Sequence, residues 1–72
     1  MTEVEKIDVV VNGEPRILTI ASTVASLLSE LEVNTALVAV EVNQSLVPRE
    51  VHVEHVLRDG DQVEIVTLVG GG

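Results

Sequence analysis

The stretch IDVVVNGEPRILTI, residues 7–20, decides the fold of this chain. Apolar side chains alternate along Ile7–Val11, which is the period of a half-buried strand. Asn12-Gly13 follows at once and supplies the positive φ angles of a type I′ turn. An extended pattern resumes at Arg16–Ile20. Because Pro15 has no amide donor, we expect the second strand at a sheet edge, or its first residue outside the pairing. The stretch predicts a β-hairpin.

One short helix is predicted after the hairpin. Ser22 and Thr23 are both residue types that cap a helix N-terminus. Apolar residues at spacings i, i+3, i+4 and i+7 form a single stripe, which we expect to pack on a sheet. These residues are Val24, Leu27, Leu28 and Leu31. Asn34 is the expected left-handed residue at the helix end.

The second half of the chain predicts further strands. Leu37–Val42 and Gln62–Val69 alternate as strands do, and Asp59-Gly60-Asp61 has the composition of a turn. Residues 46–55 show no clear period, so we expect irregular structure with a short edge strand there.

The order is then β-β-α-β-(β)-β, an α+β domain whose mixed sheet of four to five strands carries one helix on one face. In the ubiquitin-like β-grasp arrangement with this order, the first and last strands lie parallel in the middle of the sheet. We expect residues 1–67 to form the β-grasp domain and residues 68–72 a flexible glycine tail.

The charge balance limits the classes of partner. The 72 residues include 12 acidic and 4 basic ones and no aromatic residue, for a net charge of -8. Nucleic acid is a poor partner because it requires clustered cations and stacking rings. No apolar run is long enough to span a membrane, and the N-terminus lacks the features of a signal peptide. We expect a cytoplasmic protein that is monomeric on its own.

Clusters of titratable residues do not predict a catalytic or metal site. Glu50, His52, Glu54 and His55 are close in sequence. We expect them in an irregular loop where nothing fixes a ligand geometry, whereas zinc requires converging and supported ligands. No nucleophile motif joins the serines and histidines, so we expect no intrinsic enzymatic activity.

A glycine run, Gly70-Gly71-Gly72, follows the last strand. Glycine tolerates close backbone approach, so such a tail suits a thread that enters a narrow active site with its terminal carboxylate as the reactive group. Small residues at a terminus are also common in disordered ends, so the run alone leaves both interpretations open.

Several motifs together resemble a known family. These are Asn12-Gly13, the helix start at Thr23, the segment Val42–Arg49 with Val47-Pro48-Arg49, the segment Leu57–Ile65 with Asp59-Gly60-Asp61, and the terminal glycines. From about Ile7 to Gly72 the chain resembles the ThiS family, the sulfur carrier proteins of thiamine (thiazole) biosynthesis. The chain ends in three glycines rather than two, which keeps Gly71-Gly72 terminal.

The resemblance implies a defined chemistry at Gly72. An adenylating (E1-like) enzyme would activate the Gly72 carboxylate with ATP and Mg²⁺, and sulfur from a donor such as a cysteine desulfurase would then displace AMP. The resulting thiocarboxylate would give its sulfur to a thiazole synthase. The carrier itself would bind no cofactor. Gly70 and Gly71 would let the tail thread into the partner.

Residues at the base of the tail are candidates for partner docking. Val66, Leu68 and Val69 would supply an apolar patch, and Glu64 would meet a basic partner surface. The alternative is ordinary packing of the strand into its own core, which the sequence favours for Val66 and leaves equally open for Leu68.

Other interpretations of the chain remain at this point. A molybdopterin-type carrier or a ubiquitin-like modifier would use the same terminal chemistry, and an inert ubiquitin-fold interaction module would not. An exposed sheet face with Val10, Leu37 and Ala39 would provide a second binding surface or a dimer contact.

Overall fold

The computed structural model describes residues 5–68. Within that range the chain forms β1 Lys6–Val11, β2 Glu14–Thr19, α1 Val24–Glu30, a 3₁₀ turn Thr35–Leu37, β3 Val38–Val42, β4 Ser45–Val47, a second 3₁₀ turn Arg49–Val51, and β5 Gln62–Thr67. The expected element order is confirmed, and β4 is the short edge strand. The predictions for Val69 and for glycines 70–72 lie outside the described residues.

The strands of the described range form one mixed sheet in the order β2-β1-β5-β3-β4. β1 and β5 pair in parallel at the centre, whereas β3 is antiparallel to both β5 and β4. With α1 this is the ubiquitin-like β-grasp architecture that the sequence predicts. The strand that leads to the glycine tail is therefore the middle strand of the sheet.

The first hairpin closes as predicted. Asn12 and Gly13 have φ angles of 49° and 84°, both positive as a type I′ turn requires. Ile20 N–H donates to Glu5 O at 2.9 Å. Because hydrogen-bonded and non-bonded residues alternate along an antiparallel strand, the even-numbered residues of β2 are the ones whose backbones bond to β1. The nitrogen of Pro15 therefore points away from β1, at a sheet edge where no donor is needed.

Thr23 caps α1, but the helix does not end at Asn34. The Thr23 side chain accepts from Ser26 N–H at 3.0 Å, and the Ser26 hydroxyl oxygen accepts from Thr23 N–H at 2.8 Å. The left-handed residue is Glu32, with φ 59°. Asn34 has φ -75° and instead caps the first 3₁₀ turn, so the sequence prediction was wrong here.

The cause is the backbone geometry of the helix end. Val33 N–H donates to Leu28 O at 3.0 Å and Glu32 N–H donates to Ser29 O at 3.1 Å. This pair of bonds is a Schellman motif, in which the residue after the C-cap must be left-handed. Glu32 is left-handed because it is the residue after the C-cap, although asparagine adopts the left-handed conformation more easily than glutamate.

An aliphatic core fills the space between α1 and one face of the sheet. The buried residues are Ile7, Val9, Val11, Leu18, Val24, Leu27, Leu28, Val38, Val40, Val42, Val47, Leu57 and Val63. Leu57 lies in the loop before β5, and the others come from alternate positions of the strands and from the predicted helical stripe. Since the described range has one α-helix, the opposite sheet face keeps its side chains exposed.

Candidate functional site

The last strand divides its side chains between the two faces of the sheet. Val63 is fully buried and Ile65 is half-buried, both toward α1. Glu64 and Val66 alternate with them and point outward, and Val66 is 54% exposed. The preference for Val66 as a core residue was therefore wrong. A central strand buries the side chains of both its faces only when both faces of the sheet are covered. Here α1 covers one face, and Val66 lies on the other.

Apolar residues of three neighbouring segments meet on the uncovered face near the end of β5. We call these residues the outer-face patch: Leu37, Ala39, Leu46, Val66 and Leu68. Val66 lies opposite Ala39 in the antiparallel register. Leu46 and Leu68 are 65% and 63% exposed. Exposed apolar residues that adjoin in this way are typical of an interaction surface.

Two glutamates lie next to the outer-face patch. Glu41 is directly opposite Glu64 in the β3–β5 register, and Leu46 is the neighbour of Glu41 on the other side. Within residues 5–68 the one ion pair joins Arg16 to Glu30 at 3.8 Å, so neither glutamate has a cationic partner there. Like charges directly opposite each other destabilise a sheet, and a cation placed over both would relieve the repulsion.

The end of β5 is held on its two sides by different means. Toward β3, Leu68 N–H donates to Leu37 O at 2.8 Å. Toward β1, the side chain of Asn12 takes the place of a strand: Ile65 N–H donates to Asn12 Oδ1 at 2.7 Å, and Asn12 Nδ2 donates to Ile65 O at 3.3 Å. The chain is thus fixed to the sheet up to Leu68, next to the predicted tail.

His52 is held in place by hydrogen bonds, contrary to the expectation that nothing fixes its geometry. The ring is buried. Its Nε2 donates to Val47 O at 3.0 Å, because a carbonyl can only accept. In the neutral ring Nδ1 then accepts from the Thr35 hydroxyl at 3.0 Å. Both nitrogens connect the loop to the sheet and to the first 3₁₀ turn.

The carboxylates of the Asp59-Gly60-Asp61 turn connect the turn to β1, to its own backbone and to the side chain of Asn43. Asp59 Oδ1 accepts from Asp8 N–H, and Asp61 Oδ2 accepts from Arg58 N–H, each at 2.8 Å. Gly60 has φ 88°, which favours glycine at this corner. Residues 5–68 contain no group of three or more histidine or carboxylate side chains arranged to hold a metal ion. In the same range no helix is long and apolar enough to cross a membrane.

Comparison with known proteins identifies the family. The model of the ThiS family matches residues 9–72. The chain belongs to the ThiS family. This confirms the resemblance that the sequence motifs carry, and the matched segment includes β5, the outer-face patch and the terminal glycines.

A solved structure of a ThiS protein and two curated proteins are similar to this chain. The crystal structure of the thiamine biosynthesis protein ThiS from Geobacter metallireducens is 35% identical, covers 92% of this chain and 100% of its own, and superposes with a TM-score of 0.79. A thiazole synthase from Paramagnetospirillum magneticum is 44% identical over 88% of this chain, which spans 19% of the length of that synthase. An uncharacterized protein ycf40 from Porphyra purpurea is 35% identical, covering 94% of this chain and 96% of its own length.

The sequence predicted the β5 residues of the outer-face patch as docking candidates, and it did not join to them the residues from the first 3₁₀ turn, β3 and β4. Leu46 lies in the segment without a clear period, so its exposure follows only from the pairing of Glu41 with Leu46. Leu37 and Ala39 were predicted as a separate surface, but the register places them beside Val66. Val10 lies opposite Pro15 and Gln62, away from the patch. Docking itself is untested for Glu64, Val66 and Leu68, and Val69 lies outside the described residues.

Proposed function

We propose that this ThiS family member is a sulfur carrier whose Gly72 carboxylate is adenylated and then converted to a thiocarboxylate that donates sulfur for the thiazole ring of thiamine. The observation that supports the proposal most is that β5, the central strand, runs directly toward the glycine tail. If the four residues 69–72 extend fully beyond Leu68, they reach about 14 Å, at about 3.4 Å for each residue. That reach is enough to enter a partner's active site.

The chemistry requires two partner-catalysed steps. A carboxylate is a poor electrophile, so its oxygen first attacks the α-phosphate of ATP and pyrophosphate leaves. The outer sulfur of a donor persulfide, such as the one a cysteine desulfurase carries, then attacks the acyl carbon, and AMP departs with the former carboxylate oxygen. A thiol next attacks the donor's sulfur in the acyl disulfide, so that the S–S bond breaks, the donor leaves as a disulfide and the thiocarboxylate stays on Gly72. ATP and Mg²⁺ belong to the adenylating enzyme, and the carrier binds no cofactor. The thiocarboxylate finally passes its sulfur to a thiazole synthase.

We infer that the outer-face patch positions the tail in these partners. An apolar partner surface would cover Val66, Leu68 and Leu46, and a partner lysine or arginine would lie over Glu41 and Glu64. A second copy of the chain fits this surface poorly, because the same two glutamates would face each other and the net charge is -8.

The test of the terminal chemistry is intact-protein mass spectrometry after incubation with the adenylating enzyme, ATP and a sulfur source. The expected product carries one sulfur in place of one oxygen. A variant that lacks Gly71-Gly72, with the circular dichroism spectrum of the full chain, should stay unmodified. If the full chain acquires no sulfur, or if the truncated one does, the carrier function is wrong and an inert interaction module becomes the better interpretation.

A matched pair of variants tests whether the outer-face patch is the docking surface. Val66→Arg and Val53→Arg each replace an exposed valine, 54% and 68% exposed respectively, but Val53 lies away from the patch, beside the second 3₁₀ turn. We expect Val66→Arg to lower kcat/KM for thiocarboxylation by on the order of tenfold or more, as at the centre of an interface. Val53→Arg should behave as the wild type. Equal activity of the two variants would exclude the patch as the docking surface.

Transfer of sulfur separates the thiamine pathway from the molybdopterin pathway. The thiocarboxylated carrier is mixed with a thiazole synthase and its substrates, and the loss of the terminal sulfur is followed by mass. Loss that depends on the synthase supports the thiamine role. A carrier that keeps its sulfur under these conditions belongs to another pathway.

A further inference from the structure

The backbone of β5 has an open edge at Thr67. Leu68 N–H donates to Leu37 O, and Asn43 N–H donates to Gln62 O at 2.7 Å, so the even-numbered residues of β5 bond to β3. The odd-numbered residues point toward β1. Asn12 N–H donates to Val63 O at 2.9 Å, and the Asn12 side chain binds Ile65.

Thr67 is the next residue that points this way, beyond the end of β1. No hydrogen bond joins its N–H or C=O to another residue of the range 5–68 on that side. An open strand edge is a template for an added extended segment.

A groove lies beside this edge on the helix side of the sheet. Its volume is about 460 Å³, and its walls include Thr67 and Ile65 from β5, Val38 from β3, Leu31 and Val33 from the end of α1, and Arg16 from β2. Leu31, Val33 and Ile65 are only partly buried, although they pack against the core. The groove therefore offers an apolar floor next to an unpaired strand edge.

Arg16 supplies an unused donor in the same groove. Its Nε has no hydrogen-bond partner among the described residues and is covered by neighbouring atoms, which is unfavourable for a polar group. The side chain as a whole is 40% exposed, so a small rotation of it would present Nε to an acceptor in the groove. Its Nη2 lies 3.8 Å from Glu30 Oε1, and Glu14 lines the groove nearby. An anionic ligand would be repelled by these two carboxylates. A neutral carbonyl would accept from Nε without adding negative charge.

We propose that an extended segment of the adenylating partner lies in this groove as an added strand beside Thr67. Its backbone pairs with Thr67 N–H and C=O, an apolar side chain packs on Leu31 and Val33, and one backbone carbonyl accepts from Arg16 Nε. A basic residue of the segment lies near Glu14. The inference rests on the proposed function, because the groove adjoins the tail that this partner must hold.

The added strand and the outer-face patch lie on opposite sides of β5. Outward-facing Val66 and Leu68 contact one part of the partner, and groove-facing Ile65 and Thr67 contact the other. The partner would then hold the base of the tail from both faces, which fixes the direction in which the glycines enter the active site. Fixing a reacting group before the chemical step lowers the entropy lost in that step.

Proton NMR of the ¹⁵N-labelled carrier with the adenylating enzyme, in the absence of ATP, tests the groove directly. We expect the exchange of the Thr67 amide with solvent to slow on binding, and the Arg16 Nε–H resonance to shift as it gains an acceptor. If binding perturbs Val66, Leu68 and Leu46 while Thr67 and Arg16 Nε–H stay unchanged, the added strand is wrong.

Variants give an independent measurement of the same contact. Thr67→Pro removes the amide donor, whereas Thr67→Ala retains it, so we expect the Kd of the proline variant to be about tenfold higher than that of the alanine variant. Arg16→Lys keeps the charge but lacks the Nε donor and should weaken binding as much as Arg16→Met. Equal Kd values for the two Thr67 variants, or a weakening by Arg16→Met alone, would contradict the proposal.

The two proposals fail in different ways. If the wild-type chain acquires no sulfur, the carrier function itself is wrong. If it acquires sulfur at the wild-type rate while Thr67 and Arg16 Nε–H are unaffected by the partner, the carrier function stands and the added strand alone is rejected.

Discussion

Two hairpin turns flank the strand that leads to the tail, and they are built alike except at one residue. Asn12-Gly13 joins β1 to β2, and Asn43-Gln44 joins β3 to β4. Both are two-residue turns with positive φ at both positions: 49° and 84° in the first, 53° and 71° in the second. The second turn places glutamine where the first has glycine, so a residue with a Cβ adopts a conformation that glycine accepts without strain.

The asparagine of each turn also binds β5. Asn12 holds Ile65, near the tail. Asn43 holds the other end, because Gln62 N–H donates to Asn43 Oδ1 and Asn43 Nδ2 donates to Asp61 Oδ1, both at 2.9 Å. The turn conformation thus serves two purposes: it closes a hairpin and directs an amide side chain at the central strand. Both turns have asparagine at the first position, which binds β5. They differ at the second position, where hairpin closure tolerates glutamine in place of glycine.

Val63 lies between the two turns, and its replacement should have the largest effect. Its register partners are Val11 and Val42, the residues that precede Asn12 and Asn43. Val63 is fully buried, so Val63→Asp places a carboxylate in an aliphatic core. We expect a loss of roughly 4–5 kcal/mol or more, enough to unfold a domain of this size. Thermal unfolding followed by circular dichroism measures it.

The matched control is Val66→Asp on the outward side of the same strand. Because Val66 is exposed, this variant should keep its cooperative unfolding transition. If both variants fold equally well, Val63 and Val66 do not lie on a buried and an exposed face of β5 as described.

The sequence predicts the first hairpin turn but not the second. Asn-Gly between alternating segments is a strong hairpin signal, whereas Asn43-Gln44 predicts only that a strand ends. The second hairpin exists because Val47, in β4, is buried in the core, which is a tertiary effect. The side-chain bonds from Asn12 to Ile65 and from Asn43 to Gln62 span 53 and 19 positions, so no local pattern contains them.

The same reasoning explains the outcome for the candidate site. The tail and Glu64, Val66 and Leu68 could be found because they follow one strand along the chain. Leu46 joins them through the register of β3 with β4, which depends on strand order. Arg16 and Leu31 meet Thr67 in the groove only once the helix is docked on the sheet.

Replacing each asparagine by glycine should separate the two contacts with β5. Glycine keeps the positive φ without strain and removes the amide, so each variant loses two hydrogen bonds, about 1–2 kcal/mol. Asn12→Gly should raise the hydrogen exchange of the Ile65 amide selectively, whereas Asn43→Gly should raise that of Gln62. Chemical denaturation and amide exchange measured on the two variants check both statements. Identical exchange patterns would show that neither side chain holds its end of β5 independently.

Exchanging the second residues of the turns should have a smaller effect of opposite sign. Gln44→Gly removes the strain of a side chain at φ 71° and should stabilise the domain by roughly 0.5–1 kcal/mol, after the larger entropy of glycine in the unfolded chain is included. Gly13→Gln should destabilise it by a similar amount. A Cβ at Gly13 would meet no atom within 4 Å, so that loss contains no steric clash and reports the backbone strain less the entropy that the unfolded chain loses with glycine. Melting temperatures that move in the same direction would show that the turns are not equivalent.

The smallest effect is expected beside the second turn, where Glu41 faces Glu64 across the sheet. Glu41→Gln keeps the shape of the side chain and removes one of the two opposed charges, so it should stabilise the free domain by a few tenths of a kcal/mol, raising the melting temperature by about 1–2 °C at low salt. Salt screens exposed charges, and the gain should disappear at high ionic strength. The control is Glu50→Gln in the second 3₁₀ turn, where an exposed glutamate is replaced. It changes the net charge equally without relieving this pair.

Glu41→Gln should also weaken binding of the adenylating enzyme, because the proposed partner cation loses one of its two carboxylates. A variant that gains stability and also binds more tightly would show that the glutamate pair opposes docking rather than directing it.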